Sequence, residues 1–248
     1  DEAIGYLKRA LKDNPNFFES YFLMGAILSD QEKYTESNKY LEKALRLEQS
    51  VKAYLYLATN YKQLNDKENE VKAYEELLEF SPYNYSGLTT LSRYYLEKKE
   101  FKKAIRYLER LFTRTPDNTQ VSSEYLYALF AAGETEKFKE VAAQVDITRN
   151  PMLLYAKALI LSREKKFDEA EKLLNTLGKG DVETYLLLSE IYLRKQDYYS
   201  ALQTLDKIAP NKHNFEYFLT RLQTLSLLNL NHRTVELFGQ IAKKDGGV

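Results

Sequence analysis

A chain of 248 residues with 36 basic and 36 acidic side chains has no formal net charge, so no long-range field draws it to nucleic acid or to an anionic membrane. It contains no cysteine, which excludes disulfides, thiolate metal sites and thiol nucleophiles but leaves the redox compartment open. No stretch has the uninterrupted apolar length needed to cross a bilayer, and the first residues lack a basic start followed by an apolar run; the segment reads as soluble, without direct membrane insertion, with a cytoplasmic setting favoured over a periplasmic one.

Residues 1–15 place Ala3, Ile4, Leu7 and Leu11 on one stripe and predict a single amphipathic helix. It has the character of the second helix of a pair whose first helix is absent, and the natural protein is expected to continue upstream. Residues 18–50 then predict a complete pair. Tyr21, Met24, Gly25 and Leu28 fall at i, i+3, i+4 and i+7 of a first helix, and SNKYLEKALRLEQ from Ser37 forms a second. The pattern returns in 51–84 with Tyr54, Leu57, Ala58 and Tyr61, then EVKAYEELLEFSP from Glu70. It returns again in 85–118 with Leu88, Leu91, Ser92 and Tyr95, then AIRYLERLFTRTP from Ala104. The small residue at the third place of each first helix lets its partner approach closely. Pro15, Pro82, Pro116 and Pro210 close units, because proline lacks a backbone donor and disfavours a helical residue before it.

Residues 119–150 and 151–181 are diverged repeats. Phe138 stands where the other units have a smaller residue, and the spacing shortens to 32 and then 31 residues, so irregular packing is expected there. Residues 182–213 restore the pattern with Tyr185, Leu188, Ser189 and Tyr192. Residues 214–243 form a last repeat whose second helix carries Val235, Phe238 and Ile241 without a solvating cap; it continues, or packs on another copy. Residues 244–248 read as a flexible polar tail.

Ala3, Ser37, Glu70, Ala104, Phe138, Ala170, Ala201 and Thr234 thus mark a period of 31 to 34 residues. A fixed period in this range indicates helix pairs stacked in a row, each burying its apolar face only against its neighbours. The expected fold is all-α, with about seven repeats after an N-terminal half repeat.

Candidate chemistry is sparse. His213 and His232 lie 19 residues apart on different elements and read as ordinary surface or loop histidines. The acid pairs Glu75–Glu76 and Asp168–Glu169 read as solvated helix faces or helix starts. Gly178–Asp181 (GKGD) lacks the spacing of a phosphate loop and reads as a turn, and the glycosylation-like triplet Asn84-Tyr85-Ser86 carries little weight. Lys157 and Arg221 occupy a first-helix place more often held by Leu, with stems expected to run past the interface to solvent. No catalytic, cofactor or metal residues are assigned, and the chain is not expected to be an enzyme.

These residues resemble the tetratricopeptide repeat family, most fully in 85–118 through Leu88, Leu91, Ser92, Tyr95, Phe101, Ala104, Leu108, Leu111 and Pro116. The resemblance implies a right-handed superhelix of antiparallel helix pairs whose first helices line a concave face that holds peptides or protein subunits. Carried onto this chain, that face comprises Glu19, Phe22, Ala26 and Ser29; Lys52, Leu55, Thr59 and Lys62; Ser86, Thr89 and Arg93; Gln120, Ser123, Tyr127 and Phe130; Tyr155 and Leu159; Glu183, Leu186, Glu190 and Leu193; and Leu219 and Gln223. Chaperone-binding members grip a C-terminal carboxylate with Lys and Asn, where this chain has Phe22 and Ala26 or Leu55 and Thr59, so a chaperone tail is not the expected ligand. The stretch holding Tyr127, Phe130, Tyr155, Leu159, Leu186 and Leu193 suits a partner with apolar or aromatic anchors. The alternative is that several of these side chains pack between adjacent first helices. RNA-reading helical repeats need a basic lining that the balanced charge does not supply.

Three roles remain open from sequence. The first is a noncatalytic scaffold or adaptor, the second a self-assembling homo-oligomer, and the third the interaction domain of a larger enzyme or envelope protein.

Overall fold

The computed structural model describes residues 2–178 and 181–245, with side chains at 240 and 242–245 outside the description. Lys179 and Gly180 of the expected GKGD turn, and residues 246–248 of the expected tail, therefore lie outside the described residues. All regular structure in the described residues is helical: fifteen α-helices and one short 3-10 turn. The chain divides into two compact units, Asp1–Glu134 and Thr135–Val248.

The first unit contains α1 (Glu2–Asp13), α2 (Phe18–Asp30), α3 (Tyr34–Leu47), α4 (Val51–Gln63), α5 (Lys67–Phe80), α6 (Tyr85–Glu97), α7 (Phe101–Arg114) and α8 (Thr119–Ala132). Each helix packs on the next in sequence, so contacts are local, as a stack of hairpins requires. Side chains mark the starts of the later first helices. Ser50, Asn84 and Asn118 each accept a hydrogen bond from a backbone N–H in the first turn. The ends of the first helices follow one device. Glu32, Asn65, Lys99 and Gly133 adopt a left-handed conformation, and the next residue's N–H returns to the carbonyl of Leu28, Tyr61, Tyr95 or Leu129. This closes the helix and reverses the chain.

The core of this unit is built from the positions with the repeat period. Leu41, Ala44, Leu57, Leu77, Leu91, Ala104 and Leu108 are buried. Burying each leucine contributes about 1.5–3 kcal/mol. Gly25 shows why a small residue is needed at the hairpin crossing: a Cβ there would lie 2.6 Å from Leu41 Cγ. On the second helices, Glu70 takes the place held by Ser37 in the preceding repeat; it is 3% exposed and paired with Lys67 at 2.9 Å, which offsets part of the cost of burying its charge.

The second unit contains α9 (Thr135–Ala142), α10 (Pro151–Arg163), α11 (Phe167–Asn175), α12 (Val182–Arg194), α13 (Tyr198–Leu205), the 3-10 turn Pro210–Lys212, α14 (Phe215–Leu227) and α15 (Asn231–Asp245). Lys165, Gln196 and Asn229 repeat the left-handed reversal. Its helices α9, α11 and α13 have only 8 or 9 residues, against 14 in α3, α5 and α7. Phe138 is fully buried on α9, and Ile147 in the connection after it is buried as well. A bulky ring thus occupies the slot that holds Ser37, Ala104, Ala170 or Ala201 in other units, and an apolar loop residue takes over after the early helix end. On α15, Val235 and Phe238 are exposed, whereas Ile241 packs against Leu202, Leu225 and Leu237.

Candidate functional site

In the first unit the packing positions of α2, α4, α6 and α8 point into the core, and the residues between them form the candidate face. Phe22 is half-buried, stacked on Phe18 and set edge-on to Tyr56, each at a centroid distance of 5.9 Å. Leu55 is half-buried beside it, and Thr59 is exposed. Ala26 and Ser29, expected on this face, are instead buried. Ser29 is held there because its hydroxyl donates to Asn60 Oδ1 at 2.5 Å. Arg93 is exposed with its Nε 3.7 Å from the Glu124 carboxylate. Tyr127 keeps 37% of its surface exposed while its ring meets Phe101 edge-on at 5.7 Å, and Phe130 is half-buried. The face is therefore a row of supported aromatic and aliphatic groups with a paired cation among them.

In the second unit, Tyr155 and Leu159 are half-buried against Ala158, Leu187, Leu188 and Ile191. Glu190 is exposed and pairs with Arg194 at 3.3 Å, and Leu193 is half-buried. The surface position expected for Leu186 is corrected: it is only 5% exposed and forms core with Leu205, Ile208 and Tyr217. The reason is that α12 packs against both α13 and α14, so its face toward α14 is not open. Burial of Tyr155, then the carboxylates of Glu216, Glu183, Asp181 and Glu190, push its phenol above the ordinary range. Beside it, a pocket of about 600 Å³ lies between the start of α10 and the start of α12.

Polar bonds also tie neighbouring repeats together, which apolar periodicity does not show. Tyr61 donates to Glu42 at 3.0 Å, and Tyr95 donates to Glu75 at 2.7 Å. Each joins a first helix to the second helix of the preceding repeat. Burial and the hydrogen bond to Glu42 push the Tyr61 phenol up to about 12, and burial with Glu75 raises Tyr95 in the same direction. The Glu75–Glu76 pair is thus more than a solvated face. The recurrence of Tyr at the last packing place of a first helix, with Glu 19 or 20 residues before it, was the available clue.

Arg221 does not simply run to solvent. Its guanidinium donates to Asp206 at 2.6 Å and lies over the Tyr217 ring. Lys195 donates to both Asp168 and Glu171 at 2.7 Å, which gives one of the expected solvated acids a specific partner. His213 stacks on Tyr217 at a centroid distance of 3.7 Å. Among the described residues no group of three or more His, Cys, Asp or Glu side chains could hold a metal ion, and no described helix is long and apolar enough to cross a membrane.

A family model described as tetratricopeptide repeat matches residues 18–50, 51–84 and 85–118. A Drosophila melanogaster protein named BBSome complex member BBS4 homolog is 24% identical over 246 residues, covering 91% of this chain and 51% of that protein. The D. melanogaster protein O-mannosyl-transferase Tmtc3 is 28% identical over 116 residues, covering 45% of this chain and 12% of that protein. This chain spans about half the length of the first relative and a small part of the second. A chain in the solved structure of Naa15/Naa10 bound to HypK-THB superposes with a TM-score of 0.69 at 14% identity, covering 97% of this chain and 39% of that chain. That likeness is one of fold.

Proposed function

From the premise that this chain belongs to the tetratricopeptide repeat family, we propose that it is a noncatalytic scaffold whose first-helix faces hold segments of other proteins. The observation that carries this reading is the face of α2 to α8. Phe22 and Leu55 are half-buried, Tyr127 is exposed but braced by Phe101, and none of the three is consumed by the core. Braced aromatic groups bind with little loss of side-chain freedom, which makes them effective anchors. The relative named as a BBSome complex member supports a role inside a multi-subunit assembly, and we extend that role to this chain as a proposal.

A second reading is favoured by the match to Tmtc3, an enzyme of which the matched segment is a small part. Here the chain is the protein-holding part of a larger enzyme. Both readings give the described residues the same task, and neither assigns them a catalytic step.

The test is affinity capture by the folded chain, followed by measurement of the recovered partner's affinity for variants. Tyr127→Ala is expected to weaken binding about tenfold, as loss of an anchor does, with helicity and melting unchanged. Arg93→Glu is expected to have little effect, because an exposed ion pair contributes about 0–1 kcal/mol. Full-strength binding by a folded Tyr127→Ala chain, together with loss in Arg93→Glu, would shift the reading to a charge-driven surface elsewhere.

A further inference from the structure

The pocket in the second unit differs in character from the face of the first. Its walls include Met152 and Tyr155 from α10, Leu177 from the end of the preceding hairpin, and Glu183 and Thr184 from α12. Met152 is 50% exposed although it is apolar, and Tyr155 is half-buried, so the pocket has an apolar wall open to solvent. Its volume of about 600 Å³ is ample for a large side chain and part of the backbone that carries it.

Among the described lining residues, the charged side chains are acidic. Asp181 and Glu183 line the pocket, and the carboxylates of Glu216 and Glu190 also act on the Tyr155 ring. Glu190 is partly neutralised by Arg194, whereas Glu183 and Glu216 are exposed. Asp181 already accepts the Thr184 N–H at 2.8 Å as the cap of α12, but its charge remains. An acidic partner would meet several carboxylates here; a purely apolar one would leave them without complement.

We propose that this pocket is a docking site for a basic peptide segment of a partner protein, which inserts a large apolar side chain between Met152 and Tyr155 and sets lysine or arginine against Glu183 and Glu216. The inference rests on the scaffold reading and narrows its partner class at this one site. The apolar wall supplies the anchor, and the acidic rim supplies selection and steering.

The probe is a fluorescein-labelled peptide KKLFKK, with EELFEE and KKSSKK as comparisons, followed by fluorescence anisotropy at low and physiological salt. KKLFKK is expected to bind at least about tenfold more tightly than either comparison peptide. Glu183→Lys and Glu216→Lys each weaken it about fivefold, the scale of one exposed charge pair. Met152→Ser weakens it while leaving the salt dependence unchanged. Glu68→Lys, an exposed acid on α5, leaves binding as it was. Equal binding of EELFEE or KKSSKK, no binding of KKLFKK, or equal losses in Glu68→Lys and Glu183→Lys would each overturn the proposal. Failure of KKLFKK with partner binding through Tyr127 intact removes this inference alone; failure of both removes the scaffold reading as well.

Discussion

Asn60 reaches from α4 back to α3, where its Nδ2 lies 2.8 Å from Ser37 Oγ and 2.8 Å from Asn38 Oδ1. Ser37 in turn donates to the carbonyl of Gly25, and Ser29 donates to Asn60 Oδ1, so three helices meet in one buried polar network. Low local polarity strengthens such bonds and makes a lost one costly.

Asn60→Ala is therefore expected to destabilise the first unit by about 3 kcal/mol, since it orphans Ser29 and Asn38 and opens a cavity as well. Urea denaturation followed by circular dichroism measures it. An unchanged midpoint would mean that water replaces the network at no cost.

Close approach at Gly25 leads to a second expectation. Gly25→Ala places a methyl 2.6 Å from Leu41 Cγ, within a hairpin whose Leu41 is fully buried, and should cost about 1–3 kcal/mol. Gly87→Ala meets Leu78 Cδ2 at 3.0 Å, the far end of a side chain that can turn aside. There the gain in helix propensity, about 0.5–1 kcal/mol, offsets the contact. Melting temperatures of the two variants should separate clearly, and equal shifts would show that Leu41 yields as easily as Leu78.

The left-handed reversals give the opposite sign. Lys99 and Lys165 hold φ of 57° and 63°, a region that strains any residue with a Cβ. Lys99→Gly and Lys165→Gly should each stabilise by up to about 1 kcal/mol, and Gly133→Ala should destabilise by a similar amount. Thermal denaturation decides this, and a loss of stability in both lysine variants would show that their side chains matter more than their backbone.

Alkaline pH provides a fourth test. The Tyr61 phenol, ordinarily near 10.0, is pushed up to about 12 in the folded chain, so between these values the folded state holds a proton that the unfolded state has lost. The contribution is fully present below pH 10 and falls as pH rises through about 12. Tyr61→Phe should flatten this decline, and phenolate absorbance should show a late-titrating tyrosine missing from the variant. Normal titration of every tyrosine in the folded chain would remove the Tyr61–Glu42 bond from the account.

The all-helical hairpin pattern was legible because it is carried by periodicity. Leu88, Leu91, Ser92 and Tyr95 share a helix face whatever surrounds them, and Ala104 must be small wherever helices cross. The Asn60 network and the Tyr–Glu bonds were not legible. A polar residue between packing positions reads as surface unless it is known which helix covers it. Exposure along the candidate face was legible only in part: Tyr127 and Thr59 are exposed, whereas Leu186 and Ser29 are buried.

Sequence by itself determined the class of structure, since the spacing of apolar and small residues depends only on helix geometry and local chain reversal. Tertiary packing decided which of the intervening side chains stay open. Burial depends on the neighbouring helix, not on the residue's own place in the period. Thus Leu186 is covered because α12 meets α14, Ser29 is drawn in by Asn60, and Met152 and Tyr155 are left to wall a pocket rimmed by Asp181 and Glu183.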